Sequence, residues 1–188
     1  MTPTPASATE KVLHWTIAGA VLLMLGTGVL MYVPALSVGV GERFWVRSLH
    51  LAGAVIMLAG LVVAPAARWR ELRDLERQLS GWTAADWTWF RRPWDVFTGE
   101  APALFAVEGR FNAGQKLFAA LIATLLVALL GTGVPMFWWG WFSAELVARA
   151  RDLHLLTAFA ATVLIAGHIY LGLLSPYGLL AAPRKETR

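Results

Sequence analysis

Cysteine is absent from this chain, which excludes disulfides and any iron–sulfur cluster held by its own thiolates. Charge is scarce as well: only 15% of the residues are Asp, Glu, Lys or Arg, against roughly 25% in a soluble domain. A basic segment ahead of the first apolar run is missing, and so is an obvious cleavage site. The opening MTPTPASATEK therefore reads as a short polar tail rather than a signal peptide. The modest net charge of +4 calls for no nucleic-acid partner.

Hydrophobic residues make up 57% of the 188, gathered into long blocks. Four windows, about Val12–Val33, Trp45–Ala66, Leu117–Trp139 and Leu153–Leu174, are long enough to cross about 30 Å of hydrocarbon at 1.5 Å per residue. The expected fold is all-α: an integral membrane four-helix bundle, up-down-up-down, forming a single membrane domain over 1–188. Ser7 and Glu10 have capping-box spacing, so the first helix is expected to begin ahead of its apolar run.

Four spans put both termini and the central loop, about 67–116, on one side. That side carries Lys11, the eight basic residues from Arg68 to Lys116, and Arg184, Lys185 and Arg188. The other side carries only Arg43, Arg47, Arg149 and Arg151. The positive-inside rule then places both termini and the loop in the cytoplasm. Within the loop, ARWRELRDLERQLSGW reads as a charged extension of the second helix, with Gly81 as its stop. The following WTAADWTWFRRPWDVF surrounds Arg91 and Arg92 with aromatics and reads as a segment at the headgroup level or against a partner.

Two phrases recur. LGTGV stands at Leu25–Val29 and at Leu130–Val134, 105 residues on. RSLHL at Arg47–Leu51 is answered by RDLHL at Arg151–Leu155, 104 residues on. The chain thus reads as one helical hairpin used twice, a parallel repeat about the membrane normal.

All four histidines, His14, His50, His154 and His168, fall in the helices, where ionisable residues are costly and usually functional. By depth they form an outer pair, His50 and His154, and an inner pair, His14 and His168. His154 and His168 are fourteen residues apart. Fourteen steps of about 100° return to nearly the same helix face, with a rise of about 21 Å. One helix thus presents two imidazoles at opposite membrane faces, each opposite a histidine of another helix. Facing imidazoles are what bis-histidine haem ligation requires, and helix bundles hold cofactors between facing side chains. Zinc wants three or four ligands on one point, whereas these divide into two distant pairs. A proton relay would recruit carboxylates, and the apolar cores contain none. The pattern points to two haem b groups, with the four histidines as iron ligands. Gly19, Gly26, Gly28, Gly53, Gly60, Gly131 and Gly133 are candidates to give a porphyrin room, or simply helix-packing residues. The repeat makes His50 and His154 equivalent, whereas His14 maps near Ala119 and His168 near Ala64. His14 also lies closer to the edge of its apolar window than His168 does, which an early start of the first helix would absorb.

GRFNAGQK at Gly109–Lys116 completes the pattern. With the four spans, both histidine pairs and the long inner loop, the chain resembles over nearly its whole length the gamma subunit of respiratory formate dehydrogenases. That dihaem cytochrome b belongs to a wider group that includes hydrogenase b-type cytochromes. The resemblance implies a bacterial inner-membrane, electron-transferring and quinone-reducing subunit that does not itself oxidise formate. It assigns His50/His154 to the outer haem, His14/His168 to the inner haem, and Asn112 and Gly114 to a quinone site near His168, for menaquinone or ubiquinone. It implies an iron–sulfur beta subunit and a molybdenum or tungsten alpha subunit as partners. Asn112 is also a good N-cap with Gln115 at the capping-box position, so the motif has a purely structural reading. Gln115 and Lys116 are candidates for proton delivery. The chain departs from the resemblance in having little beyond its last helix, which puts in doubt any family contact made by a C-terminal tail. The alternatives are the same wiring on a nickel–iron hydrogenase or another periplasmic dehydrogenase, a haem-free proton-conducting transporter, and a structural anchor with vestigial haems.

Overall fold

Ser7 starts the first helix as its spacing predicts. Its hydroxyl accepts from Glu10 N–H at 3.2 Å, and the Glu10 carboxylate accepts from Ser7 N–H at 2.7 Å. Two of the orphan donors of the helix start are satisfied outside the apolar run. The computed structural model describes residues 6–33, 35–36, 43–91 and 111–174. Among these every regular element is helical. In chain order they are α1, Ala8–Tyr32; α2, Arg43–Ala67; α3, Trp69–Ser80; α4, Ala84–Phe90; α5, Ala113–Phe137; and α6, Ala144–Leu174. A short 3₁₀ turn, Trp139–Trp141, precedes α6. Helices α1, α2, α5 and α6 are long and apolar enough to cross a membrane.

The chain divides into two units, Met1–Lys116 and Leu117–Arg188. In the first unit α1 packs on α2. Thr27 meets His50, Met24 meets Gly53 and Ile17 meets Gly60, so the two helices run antiparallel in one steady register. Gly53 and Gly60 set their closeness. A Cβ on Gly53 would stand 2.8 Å from Met24 Cγ and 3.2 Å from the Ala20 carbonyl oxygen; one on Gly60 would stand 3.0 Å from Ile17 Cγ1. These two glycines are packing contacts, the ordinary use of small residues between membrane helices, and not room for a porphyrin.

Near its end α2 widens into a π turn, Ala59–Val63, where Ala64 N–H bonds back to Ala59 O. Pro65 follows directly. Its ring displaces the carbonyl four residues earlier and it offers no N–H, a standard cause of such a turn. The charged stretch beyond is helical, as expected, but it is a separate element. Arg68 leaves helical geometry (φ −119°, ψ 31°) before α3 begins. Gly81 ends α3, its N–H bonded to Arg77 O at 2.9 Å.

Helix α6 begins at Ala144, well before the expected Leu153. Ser143 caps it by accepting from Leu146 N–H, and Glu145 pairs with Arg149 one turn along. Apolar content alone could not register this polar first stretch. The early start of α1 at Ala8 also puts His14 six residues from its helix end, matching His168, which stands six residues before Leu174. The segment 92–110, with the end of the aromatic stretch from 92 to 97 and the Gly109–Arg110 start of the motif, lies outside the described residues, as do the basic residues after 174.

Because Gly53 has no space for a side chain, Gly53→Val is expected to cost about 1–3 kcal/mol in overpacking. A thermal melt of the purified chain in detergent should fall by several degrees. Gly19→Ala, where a Cβ meets nothing within 4 Å, should melt like wild type.

Candidate functional site

Each unit holds one histidine of the repeat by the same device. In the first, Thr27 Oγ1 lies 2.9 Å from His50 Nδ1. In the second, Thr132 Oγ1 lies 2.9 Å from His154 Nδ1. Both threonines are the central residue of LGTGV. Each hydroxyl donates to the helix carbonyl four residues back, Thr27 to Leu23 O at 2.8 Å and Thr132 to Ala128 O at 2.7 Å. This back-bonding is common for a threonine inside a membrane helix. The glycine that follows each threonine lies under the ring edge. A Cβ on Gly28 would be 3.8 Å from His50 Cε1, and one on Gly133 would be 3.9 Å from His154 Cε1. The sequence repeat is thus a repeat of one side-chain constellation.

The other two histidines have different neighbours. His168 stacks on Phe118 of α5, with ring centroids 4.4 Å apart and planes 9° apart. The pairs Thr132–His154 and Phe118–His168 belong to one antiparallel register, fourteen residues apart on both helices. His14 meets the edge of Trp15 at 5.4 Å and is exposed on α1.

The NAGQ motif caps α5 as its spacing predicts. Asn112 Oδ1 accepts from Gln115 N–H at 2.9 Å, and Gln115 Oε1 accepts from Asn112 N–H at 3.0 Å. The cap uses both side-chain oxygens, so the two amide NH₂ groups are the donors that remain to these residues. Gly114 has its own reason to be glycine: a Cβ there would come within 2.7 Å of Trp89 Cζ2. Trp89 Nε1 is buried and has no hydrogen-bond partner among the described residues.

Lys116 ties α4 to the start of α5. Its Nζ donates to Gly81 O at 2.6 Å and to Asp86 Oδ2 at 2.7 Å, and both charged side chains are buried, 6% and 5% exposed. Asp86 is also the N3 residue of a capping box, accepting from Thr83 N–H at 2.8 Å and Thr83 Oγ1–H at 3.1 Å. Burial is the largest influence on this carboxyl and by itself raises its pKa. The hydrogen bonds from Lys116 and Thr83, with the Lys116 charge, outweigh it and hold the group below its ordinary 3.8. The structure thus gives Lys116 a clamping role. Beside the clamp, Trp82, Trp87 and Phe90 gather with ring centroids 5.9–6.1 Å apart, and all three are exposed.

Sequence reasoning missed Thr27, Thr132, Phe118 and Asp86. The threonines stood inside a repeat already noticed, where the glycines drew the attention. The Thr83–Asp86 cap had a visible spacing, but Asp86 and Lys116 are 30 residues apart and no local signal joins them.

Four helices long and apolar enough to cross a membrane point to a multi-pass membrane protein. Residues 5–182 match the family model of prokaryotic cytochrome b561, and the chain belongs to that family. No curated protein matches it. The protein is therefore a membrane b-type cytochrome with a role in electron transfer, and the family implies haem b. The donor set fits this group. A histidine whose Nδ1–H is held by a neighbouring oxygen presents a neutral Nε2, the usual axial ligand of haem iron.

The buried pair predicts a pH-dependent clamp. A carboxyl whose pKa is lowered on folding stabilises the folded state above its ordinary value and loses that contribution as pH falls through the lowered one. Hydrogen exchange in Trp82–Phe90 should stay slow from neutral pH down to about pH 4 and accelerate below it. Asp86→Asn leaves the Lys116 ammonium buried without its partner, at a cost of about 3–5 kcal/mol. Fast exchange in this segment is expected for that variant already at pH 7.

Proposed function

We propose that this chain is the dihaem cytochrome b subunit that anchors a respiratory dehydrogenase in a bacterial inner membrane. In this proposal the four spans run up-down-up-down with both termini and the 67–116 loop in the cytoplasm, as the distribution of basic residues favours. His50 and His154 hold the outer haem; His14 and His168 hold the inner one. The observation that carries the reading is the duplicated contact. Two hairpins, related by the repeat, each hold a membrane-embedded histidine by a threonine at Nδ1.

Bound haem supplies reversible one-electron exchange, and the protein supplies ligands, spacing and surroundings. The donor in this proposal is an iron–sulfur beta subunit on the periplasmic side, fed by a molybdenum or tungsten alpha subunit that oxidises formate. A chain without cysteine holds no thiolate-bound cluster of its own, which is in keeping with a donor that does. The acceptor is a quinone, menaquinone or ubiquinone, bound at the start of α5 near Asn112, Gly114, Gln115 and His168. The amide donors left over from the Asn112–Gln115 cap and the buried Trp89 N–H support a polar pocket there. Two electrons and two cytoplasmic protons convert the quinone to quinol, so inward electron flow builds membrane potential. The exposed aromatic cluster of α4 suits the headgroup level.

A second reading keeps the wiring and changes the donor to a nickel–iron hydrogenase or another periplasmic dehydrogenase. The family match favours keeping it, because it is to the wider prokaryotic cytochrome group. Copurification of soluble subunits with the tagged chain separates the two donors.

The pairing makes a specific prediction. His50→Ala and His154→Ala should each remove one and the same haem, leaving about half the haem per chain. His14→Ala and His168→Ala should each remove the other. Haem content and the optical spectra of the purified variants check this; four variants that all keep two haems would defeat the assignment.

A further inference from the structure

We infer that Thr27 and Thr132 are positioning residues that fix the tautomer and ring orientation of His50 and His154, and so set their strength as axial ligands. This rests on the proposal that His50 and His154 ligate haem iron.

The proton count carries it. A threonine hydroxyl has one hydrogen. Thr27 Oγ1 lies 2.8 Å from Leu23 O and 3.1 Å from Met24 O, and a carbonyl only accepts. Thr132 Oγ1 lies 2.7 Å from Ala128 O and 3.2 Å from Leu129 O. Each hydroxyl therefore directs its hydrogen to its own helix and turns a lone pair toward the imidazole Nδ1, 2.9 Å away in both units. The His50 ring also has the Met24 backbone carbonyl as a hydrogen-bond acceptor, which favours the same protonation. Nδ1 then carries the ring proton, and the lone pair resides on Nε2. Two helix carbonyls behind each threonine hold the hydroxyl in this sense.

The same arrangement arises twice, from two copies of LGTGV 105 residues apart. The repeat thus carries the same donor and acceptor atoms and the same back-bond into both hairpins. An Nδ1–H held by an oxygen makes the opposite nitrogen a stronger donor. A stronger donor favours ferric over ferrous iron and lowers the reduction potential. Removing the hydroxyl should therefore raise it.

The test uses the full chain with its haem, purified in detergent and titrated optically between reducing and oxidising potentials. Thr27→Val and Thr132→Val should each shift the midpoint of one haem upward and leave the other at its wild-type value, and the double variant should shift it further. Thr27→Ser and Thr132→Ser, which keep the hydroxyl, should titrate like wild type. A threonine that merely joins two helices would change the melting temperature and leave both midpoints where they were, which overturns the inference. Where a Val variant loses its haem, the Ser variant decides: haem regained at the wild-type midpoint supports the role, and haem not regained overturns it. Two Val variants that move different haems would support the role of each threonine while breaking the shared-haem pairing of His50 with His154.

Discussion

An imidazole in hydrocarbon has two nitrogens to provide for, and leaving a polar group unsatisfied there costs several kcal/mol. This protein provides for one of them with a threonine on the neighbouring helix, twice over. That requirement orders the rest of each hairpin. The threonine needs helix carbonyls behind it, so it sits inside a helix. In the first unit the helices must approach closely enough for a 2.9 Å contact, and Gly53 and Gly60 permit that approach on the same register. In the proposed reading, this membrane b-type cytochrome presents imidazole nitrogens at fixed places, and the electron chemistry belongs to the haem they would hold.

The elements between the second and third apolar helices follow a different logic. Helices α3 and α4 are charged and aromatic, and they are joined to the start of α5 by one buried ion pair, Lys116 with Asp86. Such pairs contribute little net stability relative to an apolar contact, but breaking one side is costly. They serve to fix one arrangement. Here the arrangement fixed is that of the Trp89 ring over Gly114, beside the capping residues Asn112 and Gln115. The proposed quinone site thus depends on a contact 30 residues distant in the chain.

Much of this was legible in the sequence. Four apolar blocks gave the spans, because hydrocarbon thickness sets their length. Capping-box spacing gave the starts of α1 and α5, because the reach of a side chain to its own backbone is a local matter. Gly81 gave the end of α3. The start of α6 was misjudged by nine residues, since its first turns are held by Ser143 and a Glu145–Arg149 pair rather than by apolar content. The break at Arg68 carried no composition signal. The histidines stood out by cost alone, whereas their threonine partners did not, because threonine is common in membrane helices. Only the superposition of two repeats on one contact makes Thr27 and Thr132 visible. Gly53 and Gly60 show the converse: a small residue announces closeness without saying to what.

Direct counting of haem tests the central claim. The intact chain, purified from membranes and quantified for protein, should yield two haem b per chain by pyridine haemochrome assay. Its oxidised electron paramagnetic resonance spectrum should contain two low-spin ferric signals, as four histidine ligands require. One haem per chain, or a high-spin signal from iron with a single histidine, would contradict the account.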